Sequence, residues 1–211
     1  MPIGRRAILH DVSDPRPARP PYALATWLII AGLIGLWAAF RLTLDKFDVL
    51  ENPKASLDCN YSVLVQCTAN LQSHQGAVLG FPNPLLGLGG WTATVAMGAI
   101  VWAVRGTIAR WFWLLFNLGV VGALVLVIYL IHASVYDIHT LCPWCMLTWS
   151  VTIPTFWATT LYNLKSGTIP LPASVRAFFA AAYTWTPVIT LVSYVVVAVL
   201  AQLELNWLSQ L

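Results

Sequence analysis

The sequence predicts an all-α integral membrane protein, and two observations support this fold class. Of the 211 residues, 59% are hydrophobic and only 9% are charged, whereas soluble domains carry about 25% charged residues. A soluble fold of this size could not bury so much apolar surface, so lipid must solvate much of it. The sequence also contains five nearly uncharged stretches, each close to the roughly 20 residues that a helix needs to cross the hydrocarbon layer.

The five predicted spans cover residues 22–40, 85–104, 111–131, 142–162, and 178 to about 203. The first could be mistaken for a signal peptide. Its apolar run is longer than the usual 7–15 residues or so, and Arg41 follows without a small-residue cleavage site. We therefore interpret it as a retained membrane anchor.

The basic residues of the short loops predict the orientation, because such loops remain in the cytoplasm. They occur in the N-terminal tail, between spans two and three, and between spans four and five: Arg5, Arg6, Arg16, Arg19, Arg105, Arg110, Lys165 and Arg176. Loops 41–84 and 132–141 and the C-terminus are then expected outside. The net charge of +3 is small and scattered, which argues against a nucleic-acid partner.

All four cysteines, Cys59, Cys67, Cys142 and Cys145, fall in the predicted outward half of the chain. The outer side is the oxidising compartment, where disulfides persist. The orientation was predicted from lysine and arginine alone, so the cysteine placement is an independent check on it. Four cysteines allow three pairings, and the sequence does not choose among them.

The segment from Cys142 to Cys145 is a CxxC motif at the head of the fourth span. Pro143 suits the first helical position, which would place Cys142 at the cap and Cys145 in the first turn. The positive helix end favours thiolates there, and a thiolate is the species that attacks disulfides. The alternatives are a structural disulfide, or a zinc site completed by His139 or His132. Zinc is disfavoured because it needs four ligands and no second CxxC exists.

The outer loop carries the other cysteine pair and two polar candidates. Residues 60–74 read as a half-amphipathic helix that would carry Cys67 toward the CxxC and leave Cys59 near water. An equally open reading is a loop closed by a Cys59–Cys67 disulfide. Asn83, at the rim of span two, could bind a ligand carbonyl or simply cap a turn, and Ser73 has an ordinary capping explanation.

Together these motifs resemble the vitamin K epoxide reductase family, specifically its bacterial homologues, over residues 22–162. The resemblance rests on order and spacing: Cys59 and Cys67 with seven residues between, Ser73 six residues beyond, Asn83 and Gly87 opening span two, and the CxxC opening span four. It implies a four-helix bundle around a quinone pocket, capped by the loop helix. Residues 1–21 would be a cytoplasmic tail, and residues 163–211 a turn, a fifth helix and a short outer tail.

The resemblance also implies a relay of thiol–disulfide exchanges. Cys145 would lie next to the quinone, either menaquinone or ubiquinone. Cys67 would attack a Cys142–Cys145 disulfide, and Cys59 would exchange with a thioredoxin-like (DsbA-like) thiol oxidase. The chain ends within about ten residues of the fifth span, so we expect that oxidase to be a separate protein.

Three further positions take roles from the resemblance. Asn83 would hydrogen-bond a quinone carbonyl, and Ser73 would support the loop helix. Trp149 stands where many members have a tyrosine proposed to bind the quinone, and its indole can donate but not accept. The tyrosine role therefore does not transfer directly.

The expected activity is that of a quinone-dependent thiol–disulfide oxidoreductase in the bacterial inner membrane, supporting disulfide formation. One rival is the unrelated DsbB type of oxidase, but that family places its CxxC just after the first span. The other is a transporter or scaffold with structural disulfides. Charges inside the spans would favour a transporter, and the five predicted spans contain none.

Overall fold

The computed structural model describes residues 21–104 and 108–210. Seven α-helices occur within these ranges: α1 (Tyr22–Glu51), α2 (Thr68–Gln72), α3 (Asn83–Ala103), α4 (Arg110–His132), α5 (Pro143–Lys165), α6 (Ala173–Thr184) and α7 (Thr186–Leu205). A π turn (Ala133–Asp137) extends α4, and a 3-10 helix (His74–Ala77) follows α2. The described ranges contain no strand, so the all-α membrane fold is confirmed. Four arginines of the N-terminal tail and Arg105, used to predict the orientation, lie outside them.

Four helices are long and apolar enough to cross a membrane: α1, α3, α4 with its π turn, and α7. The helix α5, predicted as the fourth span, has 23 residues and is less apolar because threonines recur along it. It packs against α1, α4, α6 and α7. Several of its hydroxyls bond within the helix, as Thr152 does to the carbonyl of Thr148. The buried threonines and these helix contacts place α5 in the interior of the bundle.

The first helix is longer than the predicted span 22–40. It runs for 30 residues, or about 45 Å, which exceeds the roughly 30 Å of hydrocarbon. Its last turns therefore continue past the predicted span and run alongside the loop that follows. This extension carries Asp45 and provides a wall for the loop that follows.

The opposite end of the bundle holds the turns whose basic residues predicted a cytoplasmic location. Arg110, at the start of α4, donates a hydrogen bond to the carbonyl of Thr168. The start of α4 and the connection after α5 thus lie at one end. The cysteines lie at the other, because the CxxC opens α5.

Helices α1 and α3 form a close seam, because small residues face each other. A Cβ added at Gly98 of α3 would lie 2.8 Å from the carbonyl oxygen of Ala25 and 3.0 Å from the backbone nitrogen of Ile29. In the same seam Gly35 of α1 lies under the indole of Trp91. By contrast, α3 and α4 hardly touch each other.

The predicted helix over 60–74 is wrong in its first half, since only Thr68–Gln72 is α-helical. Upstream, Val65 forms an isolated parallel bridge with Leu141. The Gln66 nitrogen donates to the Leu141 carbonyl at 3.0 Å, and the Leu141 nitrogen donates to Leu64 at 2.8 Å. Long-range backbone pairing has replaced the local helical bonds that the apolar spacing suggested.

The predicted fifth span, 178 to about 203, is also wrong as a single helix. The chain breaks at Trp185, between α6 and α7. Pro187 lies in the first turn of α7, and proline lacks the N–H that a continuous helix requires. Only α7 is long and apolar enough to span.

Candidate redox site

The four cysteines converge at the end of the bundle where α5 begins. Cys59 and Cys67 form a disulfide, while Cys142 and Cys145 are free thiols. The Sγ of Cys142 lies 3.5 Å from the Sγ of Cys67. Cys59, Cys67 and Cys142 are 2%, 0% and 0% exposed. The loop pair and the helix pair are therefore in direct sulfur contact inside a dry environment.

The start of α5 fixes the CxxC as predicted. Cys142 is the N-cap and Pro143 occupies the first turn, where its missing N–H has no helical partner to lose. The Sγ of Cys142 accepts a hydrogen bond from the backbone N–H of Cys145 at 3.4 Å. This is the capping geometry expected of a cysteine at the positive end of a helix.

Side-chain amides of the outer loop hold Cys67 against the CxxC. The Oδ1 of Asn60 accepts a hydrogen bond from the Cys67 nitrogen at 2.9 Å. Further along, the Nδ2 of Asn70 donates to Thr140 at 2.9 Å, and its Oδ1 accepts from Ser134 at 2.8 Å. Neither asparagine was predicted as part of the site, and the partners of Asn70 lie 64 and 70 positions away, beyond the reach of a local pattern.

The expectation that Cys59 lies near water is wrong. Its side chain packs in a cluster with Leu57 and with Leu42 of α1. The last turns of α1, beyond the predicted span, supply this wall. The same extension brings Asp45, itself only 4% exposed, to 3.5 Å from the Cys59 sulfur. Sequence reasoning had no signal for Asp45, since it lies in the segment predicted to be loop.

A cavity of about 1010 Å³ opens between α3, α4 and α5. Apolar side chains dominate its lining. Cys145 borders it, and Trp149, one turn further along α5 and 6% exposed, borders it as well. Cys142 instead faces Cys67. The two cysteines of the CxxC thus lead from the loop disulfide on one side to the cavity on the other.

Asn83 and Ser73 both border the cavity and both hold the loop. The Nδ2 of Asn83 donates to the Gln75 carbonyl at 2.7 Å, and its Oδ1 accepts from the Val78 nitrogen at 2.9 Å. An amide has two N–H donors and two acceptor positions, so each end of Asn83 retains one. The hydroxyl of Ser73 caps the 3-10 helix, accepting from one loop nitrogen and donating to one loop carbonyl.

The alternative of a zinc site gains no support from the histidines. His139 lies 3.6 Å from a glutamate of α7, and His132 stacks on a tyrosine ring. Within residues 21–104 and 108–210, the one group of three potential ligands joins Asp45 to Cys59 and Cys67. The two sulfurs of that group are bonded to each other, so neither is a thiolate ligand.

The arrangement can move two electrons between cysteine pairs. A sulfur that contacts a disulfide can attack it and form a mixed disulfide, and a second thiol then resolves the mixed disulfide. Cys142 contacts Cys67, and each has a resolving partner within its own pair. The contact therefore supports exchange in either direction.

No curated protein and no solved structure matches this chain. A sequence model of the Vitamin K epoxide reductase family matches residues 26–160. The match covers more than half of the 211 residues and contains all four cysteines. The chain therefore belongs to the vitamin K epoxide reductase family, and it is a membrane thiol–disulfide oxidoreductase.

Proposed function

We propose that this protein re-oxidises a thioredoxin-like thiol oxidase and passes the electrons to a membrane quinone. The observation that supports this proposal is the order of contacts around the CxxC. Cys142 touches the loop disulfide at Cys67, 3.5 Å away, and Cys145 borders the apolar cavity. Electrons that enter at the loop pair have a continuous path to the cavity.

The relay begins at the loop pair. A thiolate of the partner attacks Cys59, the Cys59–Cys67 bond breaks, and the electron pair leaves on Cys67. The partner's second thiolate then closes the partner's own disulfide and releases Cys59. Two electrons have moved from the partner to the loop pair.

The internal exchange follows. Cys67 attacks Cys142 of an oxidised CxxC, and the electron pair leaves on Cys145. Cys59 then attacks Cys67, which restores the loop disulfide and leaves both CxxC cysteines reduced. The described state, with the loop pair oxidised and the CxxC reduced, is the state that follows this step.

The cavity has the chemistry that a quinone requires. Its walls are mostly apolar, as suits an isoprenoid quinone, and its polar groups are few. A bound quinone would supply the two-electron acceptor for Cys145. Asn83 retains a free N–H with which to bind a ring carbonyl and stabilise negative charge there, and the Trp149 indole is a second candidate donor.

The partner must reach a cysteine that the loop covers. Cys59 is 2% exposed, but its neighbour Asp58 has a side chain that is 92% exposed. Tyr61, two residues further, is 74% exposed. Exchange with a protein thiol therefore requires the exposed side chains of segment 57–61 to shift and open a path to Cys59, and these side chains give a partner its first contact.

We place this site outside the cytoplasm of a bacterium, in the inner membrane. The proposal follows from the basic residues Arg110, Lys165 and Arg176, which the fold puts at the end away from the cysteines. Basic residues concentrate in cytoplasmic loops. The cysteines would then face the oxidising compartment.

The test is quinone reduction by the purified protein, supplied with a reduced thioredoxin-like oxidase. We expect Cys145→Ala to remove quinone reduction, since Cys145 is the thiol on the cavity wall. Cys59→Ala should fail with the protein thiol and keep activity with a small dithiol that reduces the CxxC directly. Quinone reduction that survives Cys145→Ala would overturn the proposal.

A further inference from the structure

We propose that Asp45 is an acid–base catalyst that gives a proton to Cys59 and takes it back during exchange. The inference rests on the proposed exchange at the loop pair. Its observation is a buried contact: the Oδ2 of Asp45 lies 3.5 Å from the Cys59 sulfur, and the two residues are 4% and 2% exposed. A carboxyl in contact with a reacting sulfur is within reach of proton transfer.

The charged residues near Asp45 do not form a salt bridge with it. Arg41, one turn earlier on α1, forms its salt bridge with Asp58 at 3.4 Å and lies over the Trp144 ring. Asp48, one turn later, is exposed. In the described part of the chain Asp45 has no salt bridge. Burial without a salt-bridged cation disfavours the ionised carboxylate, so Asp45 is suited to hold the proton that it gives to Cys59.

Burial also creates the need for a proton carrier. When the partner's disulfide closes, the bond between the partner and Cys59 breaks and its electron pair remains on the Cys59 sulfur. At 2% exposure, this sulfur has little water from which to take a proton. A bare thiolate in such a site is unfavourable. The Asp45 carboxyl can protonate it as the bond breaks.

The proton returns in the internal exchange. Cys59 must lose its proton to attack Cys67 in the Cys67–Cys142 disulfide, and the Asp45 carboxylate accepts it. The Cys59–Cys67 bond forms, the Cys67–Cys142 bond breaks, and the electron pair leaves on Cys142. Asp45 ends as it began, and no further oxidant or reductant is needed.

The first measurement compares Asp45→Asn with Asp48→Asn in quinone reduction driven by the reduced thioredoxin-like protein. Asn keeps the shape of Asp45 and removes its proton-carrying function. General acid–base catalysis contributes about 10²- to 10⁴-fold, so we expect Asp45→Asn to lower kcat by about 10²-fold. Asp48→Asn removes an exposed carboxylate of the same helix and should change it little.

The second measurement separates proton transfer from positioning. In a variant that keeps Cys59 as its only cysteine, the rate of alkylation by iodoacetamide is followed against pH. If Asp45 and Cys59 share a proton, the profile contains two ionisations that belong to the pair. Adding Asp45→Asn should reduce it to one ionisation.

The outcomes are distinct. Wild-type protein that does not reduce quinone refutes the proposed function, while the alkylation profile still decides the Asp45–Cys59 pair. If Asp45→Asn turns over within twofold of wild type, the inference fails. It also fails if Asp45→Asn is slow but the two-ionisation profile persists. Should Asp45→Asn not fold, a single ionisation in the Asp45-containing protein overturns the inference.

Discussion

Glycines border both sides of α3, but one side is closely packed and the other faces an open cavity. Against α1, helix α3 lies so close that a Cβ on Gly98 would meet backbone atoms at 2.8 and 3.0 Å. On the side that faces α4, Gly119 of α4 has nothing within 4 Å of an added Cβ, and it lines the cavity of about 1010 Å³. A glycine thus means close approach on one side and open space on the other.

This difference separates a packed support for the cysteine pairs from an open cavity. The seam with α3 holds α1, whose outward extension supports Cys59 and carries Asp45. Because that side is packed, the sulfur contact between Cys67 and Cys142 has a rigid support. The quinone site that we propose lies on the other side, where α3 and α4 do not interlock.

Gly98→Ala should have the largest effect, because it would disrupt the close packing of α3 against α1. Its methyl group would press on the carbonyl of Ala25 and the backbone of Ile29, neither of which can rotate away. Overpacking typically costs about 1–3 kcal/mol, occasionally more. We expect a lower midpoint of thermal unfolding in detergent and a smaller yield of folded protein.

Gly89→Ala is the matched control, since it makes the same change on the same helix where an added Cβ meets nothing within 4 Å. It should leave the unfolding midpoint unchanged or raise it, because alanine favours helix over glycine by about 1 kcal/mol. Equal destabilisation by the two variants would show that close approach at Gly98 does not stabilise the seam.

The same contrast explains which structural features the sequence predicts and which it does not. Helices α1, α3 and α4 were predicted because hydropathy is a local property, and the capping by Cys142 was predicted because Pro143 marks a helix start. Whether a glycine faces a seam or a cavity depends on the neighbouring helix. No local pattern distinguishes Gly98 from Gly119.

The outer loop shows the same limit. Its apolar spacing predicted a helix over 60–74, yet Val65 pairs with Leu141, which is far along the chain. That pairing and the extension of α1 bury Cys59 beside Asp45. These are tertiary effects that override local propensity. The quinone contacts of Asn83 and Trp149 remain predictions.

Gly119→Leu should partly fill the cavity, and we expect its effect to be smaller than that of Gly98→Ala. A leucine side chain at this position would occupy part of the cavity without meeting protein atoms near its Cβ. We expect the KM for quinone to rise about tenfold, which corresponds to about 1.4 kcal/mol of lost binding. Thiol exchange between the loop pair and the CxxC should keep its rate.

Gly119→Ala controls for the loss of glycine itself and should leave the KM near that of wild type. Stopped-flow exchange without quinone measures the relay separately. If Gly119→Leu slows that exchange and leaves the quinone KM unchanged, the cavity between α3 and α4 is not the quinone site.

The smallest expected effect lies at Trp149, on the cavity wall one turn beyond Cys145. If its indole N–H donates to the quinone, Trp149→Phe removes one hydrogen bond worth about 0.5–1.5 kcal/mol. The KM for quinone should then rise about 2- to 10-fold, and Trp149→Tyr, which restores a donor, should recover most of the loss. Phe and Tyr fill similar volumes, so a difference between them reports the hydrogen bond, whereas equal effects would mean that Trp149 contributes packing against α4 and α7 alone.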